Sequence, residues 1–356
     1  MPIDLNQLLK DMVKKGASDL HIGVNARPHF RVDERLMDAS SEVMNERSSK
    51  DIVYSILTNE QKARFEREKE LDFAFSREGL GRFRVNVFWQ RGYVGAAIRA
   101  LPIKIMNFEE CGLPVKVMEG FCKKSKGLVL VTGATGSGKS TTLASMVDWI
   151  NTRKDCHIIT IEDPMEYVHS NKKSIIDQRE VGSDTLTFPN ALKHILREDP
   201  DVILIGEMRD LETVESALVI AETGHLVLAT LHTSDAVQTI NRVIDVFPAR
   251  QQQQVRTQLS FVLMGVLSQQ LIPRVSGDGR ALAVEVLVAN HAIRSQIREE
   301  KVHQIFSSIQ TGQKEGMQTM NQSLYSLYLQ EKIKKEDALL RTTEPQDMER
   351  IMGEKK

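Results

Sequence analysis

Gly133-Ala-Thr-Gly-Ser-Gly-Lys-Ser140 is a complete G-x-x-x-x-G-K-S/T phosphate-binding loop. The apolar run at 128–131 precedes it and predicts a buried strand, and the run that begins at Thr141 predicts a helix. In such a strand–loop–helix unit, backbone N–H groups of the glycine-rich loop and the N-terminus of the helix bind anionic phosphates. The sequence therefore predicts an α/β fold that binds a nucleoside triphosphate.

The predicted nucleotide site covers this loop and the start of the helix. Lys139 is long enough to reach the β- and γ-phosphates, and the Ser140 hydroxyl is a suitable ligand for Mg²⁺. A flexible glycine loop with a surface lysine is the structural alternative, but it leaves the flanking strand and helix unexplained. The predicted phosphate-binding residues are Gly133, Ala134, Thr135, Gly136, Ser137, Gly138, Lys139, Ser140 and Thr141.

Length and composition indicate a soluble globular protein with room for two domains. The 356 residues are 41% hydrophobic and 27% charged, and the net charge of −1 provides no overall basic field, so nucleic acid is not an expected partner. Cys111, Cys122 and Cys156 form neither a C-x-x-C pair nor a four-cysteine zinc pattern, which is typical of a reducing compartment. Without a signal-peptide pattern or an apolar run of about 20 residues, we expect a cytoplasmic protein with no transmembrane segment.

Residues 1–101 read as a small α+β domain. Phe83, Val85 and Val87 alternate with polar residues after a glycine turn, which predicts a strand in an antiparallel sheet. An N-terminal helix, opened by Asp4 and ended near Gly16, is predicted from Leu5, Leu8, Leu9, Met12 and Val13.

The pattern changes beyond this first domain. Pro102, Gly112 and Pro114 interrupt the periodicity of residues 102–114, which we interpret as a linker. Residues 115–356 begin as strands and helices in alternation, as in a parallel α/β sheet. After about residue 245 the pattern predicts a mostly helical chain.

Four apolar runs of the second domain end in polar side chains. Ligands of open parallel sheets bind beyond the carboxyl ends of the strands, so these residues are candidates for the site. If the four strands are neighbours, carboxylates and a histidine converge on phosphates held by Lys139. The runs are 128–131, before the phosphate loop; 157–161, before Glu162 and Asp163; 202–205, before Gly206 and Glu207; and 225–231, before His232.

Such a cluster suits phosphoryl transfer to water, in which positioning and charge neutralisation dominate. One carboxylate would hold Mg²⁺ or its water shell and another would orient or deprotonate the attacking water, and Glu162 and Glu207 both remain candidates for the general base. Glu207 has the place of a Walker-B acid, behind Gly206 instead of the usual aspartate. Helix capping is the alternative role of these acids. Ser140, Asp163 and Glu207 are the predicted metal ligands.

A histidine and three arginines complete the set of candidates. His232 can sense the γ-phosphate through a hydrogen bond, although a histidine at a strand end, taken alone, is more often structural. Arg82 and Arg84 point away from the apolar face of their strand and can bind phosphate oxygens as arginine fingers. A solvated strand face is the alternative, and Arg99 has the same two interpretations.

Four motifs, in order along the chain, resemble those of secretion ATPases. They are the phosphate loop as Walker A, 161–167 as the Asp box, 196–213 as Walker B and 223–233 as the His box. Nearly the whole chain is similar to the type IV pilus retraction ATPases, the PilT-like branch of that superfamily. This narrower match is carried by 15–21, 81–86, 292–299 and 316–321.

The resemblance implies a RecA-like P-loop ATPase domain and a smaller PAS-like N-terminal domain, assembled as a homohexamer. ATP would bind between the N-terminal domain of one subunit and the ATPase domain of its neighbour. Glu162 and Glu207 match the catalytic and metal-associated acids of the family, and His232 matches its His-box histidine. Arg84 and Arg99 are similar to family arginines that approach the phosphates, so the implied catalytic residues are these five.

The resemblance also implies a cellular role. ATP hydrolysis would drive pilus depolymerisation and twitching motility through an inner-membrane platform protein, at the inner face of the cytoplasmic membrane and with a possible paralogous motor ATPase. Ser295 and Gln296 stand where the retraction branch commonly has Asn-Leu, a departure that concerns coupling to partners. The alternatives are a nucleotide-binding accessory subunit and an extension or secretion ATPase, which usually has further N-terminal domains and a four-cysteine motif.

Overall fold

The computed structural model describes residues 3–32, 35–101 and 104–353. They form two compact units. The N-terminal unit is Met1–Lys104 with Glu166–Val168, and the C-terminal unit is Ile105–Met165 with His169–Lys356. Both units combine helices with a sheet, which confirms the expected α/β class. Among the described residues, every helix is too short or too polar to span a bilayer.

In the described residues of the N-terminal unit, three helices pack with one six-stranded antiparallel sheet, in the strand order β3-β2-β1-β6-β5-β4. Phe83, Val85 and Val87 are fully buried on one face of β5, as the alternating pattern predicts. The elements are α1 (Leu5–Lys14), β1 (Asp19–Ile22), β2 (His29–Val32), β3 (Arg35–Asp38), α2 (Glu46–Tyr54), α3 (Asn59–Glu68), β4 (Glu70–Arg77), β5 (Gly81–Gln90) and β6 (Tyr93–Ala100).

Helix α1 begins where the sequence predicts it. The Asp4 side chain accepts a hydrogen bond from the Asn6 N–H, which satisfies one of the unpaired donors of the first turn. Leu5, Leu8, Leu9 and Met12 are buried, but Val13, predicted as part of the same stripe, is 36% exposed. The amphipathic helix is therefore present as predicted, and its buried face ends at Met12.

The C-terminal unit is built on a seven-stranded sheet with helices around it. Its order is β13-β12-β7-β11-β10-β8-β9, and every neighbouring pair is parallel except β12 with β13. Its strands are β7 (Gly127–Thr132), β8 (His157–Glu162), β9 (Ile175–Glu180), β10 (Val202–Ile205), β11 (Leu226–Leu231), β12 (Leu263–Pro273) and β13 (Arg280–Val288).

The helices of this unit connect and cover the strands. They are α4 (Phe108–Cys111), α5 (Val115–Cys122), α6 (Lys139–Arg153), α7 (Phe188–Ile195), α8 (Leu211–Glu222), α9 (Ala236–Asp245), α10 (Ala249–Val262), α11 (His291–Arg298), α12 (Ile305–Thr311), α13 (Met320–Leu329), α14 (Lys335–Arg341) and α15 (Pro345–Met352), with 3₁₀ turns at Val302–Gln304 and Gln313–Glu315.

The central strands are buried on both faces, which explains why they read as continuous apolar runs. Leu128 and Leu130 of β7 pack into one hydrophobic cluster, and Val129 and Val131 pack into another. All four side chains are fully buried. A strand covered on both faces needs apolar residues at every position, as is usual for parallel sheets.

The expectation of a mostly helical chain after about residue 245 was wrong for the segment that forms β12 and β13. The polar residues Ser268 and Gln269 obscured the strand pattern, because both are buried inside it. The structure accommodates them by hydrogen bonds, from Thr132 Oγ1 to Ser268 Oγ at 2.9 Å and from Gln269 Nε2 to Thr142 Oγ1 at 2.7 Å. Sequence spacing does not reveal partners more than a hundred residues away.

Part of the predicted linker 102–114 belongs to the C-terminal unit. Asn107 and Glu110 form a capping box that starts α4, and Gly112 ends that helix in the left-handed conformation. Phe108 is 3% exposed and joins the core beneath α6. The described part of this segment is therefore packed structure, and Pro102 lies outside the described residues.

Candidate nucleotide-binding site

The phosphate loop joins β7 to α6 with a backbone that needs glycine. Gly133 and Gly138 have φ values of 139° and 93°, in the region that favours glycine. A Cβ atom on Gly133 would lie 2.5 Å from the Gln269 carbonyl oxygen of β12. The loop is therefore held in close contact with the neighbouring strand, and a side chain at position 133 has no space.

The loop presents the start of α6 for anion binding. The residue before this helix is Gly138, which has no side chain to cap the first turn. The N–H groups of a helix's first turn point along its axis and are suited to binding an anion. Lys139 Nζ donates hydrogen bonds to the carbonyl oxygens of Gly133 at 2.8 Å and Ala134 at 3.0 Å. The lysine lies over the loop in which the phosphates are expected.

The ends of four strands meet at the same edge of the sheet. Strands β7, β11, β10 and β8 are consecutive neighbours and parallel, so their carboxyl ends coincide. This confirms the adjacency on which the convergence of the candidate residues depended. The phosphate loop follows β7, His232 follows β11, Glu207 follows β10 by two residues, and Glu162 ends β8.

Glu207, His232 and Arg209 form one ionic cluster. His232 Nε2 lies 3.3 Å from Glu207 Oε1, and the Arg209 guanidinium contacts both oxygens of the carboxylate, with Nε 2.7 Å from Oε1 and Nη2 2.8 Å from Oε2. Burial raises the pKa of Glu207, but the hydrogen bond from Arg209 and the charges of His232 and Arg209 outweigh it and hold the pKa below its ordinary value. Glu207 is therefore an ionised carboxylate at neutral pH.

Glu162 accepts hydrogen bonds from one side chain of its own strand and from one of the neighbouring strand β9. Thr160 Oγ1 donates to Glu162 Oε1 at 2.7 Å, and Gln178 Nε2 of β9 donates to the same oxygen at 3.3 Å. The N–H of His169 donates to Gln178 Oε1 at 2.7 Å, which fixes the orientation of that amide. Two side chains thus hold Glu162 in place. Asp163 follows directly in the chain.

Close packing explains the glycine before Glu207. A Cβ atom on Gly206 would lie 3.2 Å from both Glu162 Cα and the Ile161 carbonyl oxygen. The Gly206 N–H donates to that carbonyl at 2.8 Å, and Thr230 Oγ1 donates to the Gly206 carbonyl. The backbone just after β10 therefore runs close to β8, and a side chain at this position would require the neighbouring strand to move by a few tenths of an ångström.

The oxygen donors at this edge fit a magnesium ion. Mg²⁺ takes one or two carboxylates, keeps several waters and shares its remaining positions with phosphate oxygens. Ser140 is in the first turn of α6, and Glu207 is ionised as described above. Within the described residues no group of three or more His, Cys, Asp or Glu side chains could hold a metal by itself.

Arg84 and Arg99 lie in the N-terminal unit, on the sheet face opposite its core. They are directly opposed across β5 and β6. Arg99 Nε donates to Asp19 Oδ1 at 2.8 Å, and Asp19 is itself a buried residue of β1. Burial raises the pKa of Asp19, but the bonds from Arg99 and Ser18 lower it below its ordinary value. The strand register therefore places the two arginine residues next to each other on this face of the sheet.

Three residues near the carboxylates were missed by the sequence reasoning. Arg209 stands only two residues after Glu207, and Thr160 shares a strand face with Glu162 because strand side chains repeat every second residue. Both could have been noticed from spacing. Gln178 could not, because β9 has no motif of its own and reaches Glu162 only through the sheet.

A glycine loop between a buried strand and a helix, with acids and a histidine on the neighbouring strand ends, defines a P-loop nucleotide-binding protein. A family described as "Type II/IV secretion system protein" matches residues 1–348, and the chain belongs to this family. This confirms the family resemblance inferred from the four motifs.

Individual relatives are similar over almost the full length. The chain is 48% identical over 336 residues to the "Type IV pilus retractation ATPase PilT" of Pseudomonas aeruginosa, which covers 94% of this chain and 97% of that protein. It is 46% identical over 321 residues to a "Twitching motility protein" of Neisseria gonorrhoeae, covering 90% and 86%. The solved structure "Crystal Structure of the Pilus Retraction Motor PilT and Bound ADP" matches with a TM-score of 0.92 and 50% identity, over 98% and 99% of the two chains.

Proposed function

We propose that this chain is an ATP-hydrolysing motor that drives type IV pilus retraction and so twitching motility. The observation that carries the proposal is the contact between Glu207 and His232 at the edge of the sheet where β7 passes into the phosphate loop. Relatives at 48% and 46% identity, named for pilus retraction and twitching motility, support this direction of work. The structure titled with bound ADP supports nucleotide as the ligand.

The chain's own groups account for binding of ATP. The N–H groups at the start of α6 and the loop would surround the phosphates, and Lys139 would exchange its two carbonyl partners for phosphate oxygens. Ser140, Glu207 and Asp163 would hold the magnesium ion or its waters, and when bound that ion would neutralise charge on the phosphates. His232 would move between Glu207 and the γ-phosphate.

We assign the general base to Glu162 and cation binding to Glu207. A carboxylate whose pKa is lowered is a weak base, and it stays ionised, as a ligand of a cation must be. Thr160 and Gln178 both donate to Oε1 of Glu162, which orients its carboxylate at the sheet edge. Glu162 would orient and deprotonate the attacking water.

ATP turnover and nucleotide binding, measured on the purified full-length protein and its variants, test the proposed activity. We expect Lys139→Ala to abolish ATP turnover, and Glu207→Gln to retain a fluorescent ATP analogue while turnover falls by about a hundredfold or more. Lys123→Ala, which removes an exposed lysine paired with Glu119, is the matched control and should remain active. Equal turnover in wild type and Glu207→Gln would exclude Glu207 from the mechanism.

We further propose a homohexamer in which Arg84 and Arg99 act on ATP held by a neighbouring subunit. Mixing Arg84→Ala protein with Lys139→Ala protein should then create some sites with both groups intact, and turnover should partly recover. No recovery in rings verified to contain both variants would contradict action across subunits.

The cellular partner we propose is an inner-membrane platform protein, with the motor at the inner face of the cytoplasmic membrane and with a paralogous motor as a further candidate partner. A deletion strain tests the direction of work. Excess pili on non-twitching cells would support retraction, whereas cells without pili would indicate assembly. ATP turnover measured with and without the platform protein would identify a nucleotide-binding accessory subunit if the chain bound ATP but never hydrolysed it.

A further inference from the structure

Arg209 contacts both carboxylate oxygens of Glu207. Neither phosphate binding by the loop nor the proposed hydrolysis gives this arginine a role. Its Nε and Nη2 atoms lie 2.7 Å and 2.8 Å from the two carboxylate oxygens, a side-on fork geometry that is among the stronger ion pairs. His232 Nε2 shares one of these oxygens at 3.3 Å. A cation that approaches Glu207 therefore meets a carboxylate that already has a cationic partner on each oxygen.

The backbone around Arg209 is anchored, but its side chain is exposed. The Met208 N–H donates to the Thr230 carbonyl at 3.0 Å, and Met208 itself is buried. On the other side, Asp210 caps α8 by accepting from the Thr213 N–H at 2.9 Å. The Arg209 side chain is 71% exposed, against 20% for Glu207. The guanidinium can therefore leave the carboxylate by side-chain rotation alone, without moving β10 or α8.

We propose that Arg209 is a positioning residue that holds Glu207 before nucleotide binds and competes with the divalent cation for its carboxylate. The inference rests on the proposed function, in which Glu207 serves the cation. Binding of the cation with nucleotide displaces the guanidinium into solvent, and loss of the cation with the products lets the fork form again. The cost of breaking the fork reduces the affinity for the cation, which favours its release after each turnover.

Direct binding of Mn²⁺, a paramagnetic substitute for Mg²⁺, tests this competition without turnover. Electron paramagnetic resonance would measure Mn²⁺ affinity of the full-length protein saturated with ADP. We expect Arg209→Ala to bind Mn²⁺ about three- to tenfold more tightly than wild type, because the fork no longer has to break. Arg209→Lys keeps the charge but not the fork and should lie between the two.

The matched control is Arg350→Ala. Arg350 is 68% exposed and pairs with the Asp347 carboxylate at 2.7 Å, so its removal deletes a similar ion pair elsewhere in the C-terminal unit. Its Mn²⁺ affinity should equal that of wild type. An exposed ion pair contributes little to stability, so these variants are expected to fold, and Arg209→Gln provides a second neutral replacement.

A double variant decides whether the effect passes through Glu207. In a Glu207→Gln background, Arg209→Ala should leave Mn²⁺ affinity unchanged, since the contested carboxylate is absent. Unchanged or weaker Mn²⁺ binding in Arg209→Ala, or the same gain in both backgrounds, would overturn the inference. ATP hydrolysis by wild type is measured separately. If wild type hydrolyses ATP but Arg209→Ala gains no Mn²⁺ affinity, only the role of Arg209 is refuted. If Arg209→Ala gains Mn²⁺ affinity but wild type does not hydrolyse ATP, only the proposed motor function is refuted.

Discussion

Glu285 should make the stability of the C-terminal unit depend on pH. This residue of β13 is 4% exposed, and its Oε1 accepts a hydrogen bond from the Ala236 N–H at the start of α9, at 2.8 Å. Burial raises the pKa of Glu285 from 4.5 to about 7, against the opposing effect of its backbone hydrogen bonds to Ala236 and Met320. The folded protein therefore retains the proton to a higher pH than the unfolded chain does.

The sign of the pH dependence follows from this difference. Because the folded pKa lies above the unfolded one, the contribution to stability is complete below pH 4.5 and is lost as pH rises through about 7. The gap between the two values corresponds to about 3 kcal/mol of unfolding free energy. Glu285→Gln imitates the protonated acid at all pH values. Its stability relative to wild type should therefore improve by about 2.5 kcal/mol between pH 5 and pH 8.5, since a small part of the gap is already lost at pH 5.

Urea unfolding at a series of pH values, followed by tryptophan fluorescence, measures this effect. Trp89 and Trp149 lie in different units, so a Trp89→Phe background leaves Trp149 as the reporter of the unit that contains Glu285. Glu336→Gln, which removes an exposed carboxylate of α14, is the control and should not change the pH profile. A constant difference between wild type and Glu285→Gln across this range would refute the reasoning.

Three further outcomes are expected. Gly133→Ala should lose nucleotide binding measured with a fluorescent ADP analogue, because its Cβ would lie 2.5 Å from the Gln269 carbonyl oxygen; normal affinity would contradict this packing. Thr160→Val keeps the shape but removes the donor to Glu162, so kcat should fall about tenfold with little change in KM; a change in KM alone would argue against orientation of the base. Phe108→Ala should lower the unfolding free energy by about 3–5 kcal/mol in chemical denaturation, because the side chain is 3% exposed; a loss below about 1 kcal/mol would mean that the segment is a mere linker.

The phosphate loop and the strands beside it were predictable because their signals are local. A strand buried on both faces must be apolar throughout, and the glycine pattern of the loop requires φ values that other residues rarely adopt. The convergence of the polar residues on one site was expected only on the condition that β7, β11, β10 and β8 are neighbours in the sheet. That these strands are neighbours is known only from the strand order of the folded sheet.

The segment 263–288 was mispredicted because its pattern depends on distant partners. Ser268 and Gln269 look unsuited to a buried strand until Thr132 and Thr142 provide their hydrogen bonds. Gly265 is equally uninformative in isolation, although a Cβ there would lie 2.1 Å from the Phe121 ring. A buried polar residue is stable only when it is paired, and the pairing is a property of the folded chain.

Residue types and their spacing along the chain were sufficient to identify an ATP-binding P-loop protein of the secretion ATPase type, because phosphate binding by a glycine loop is a property of consecutive residues. They were not sufficient to distinguish the environments of Glu162 and Glu207, which look alike in sequence. Folding places Glu162 between Thr160 and Gln178, and it places Glu207 against Arg209 and His232. The basicity of a carboxylate depends on the charges and donors within a few ångströms, and strands distant in sequence supply several of these neighbours.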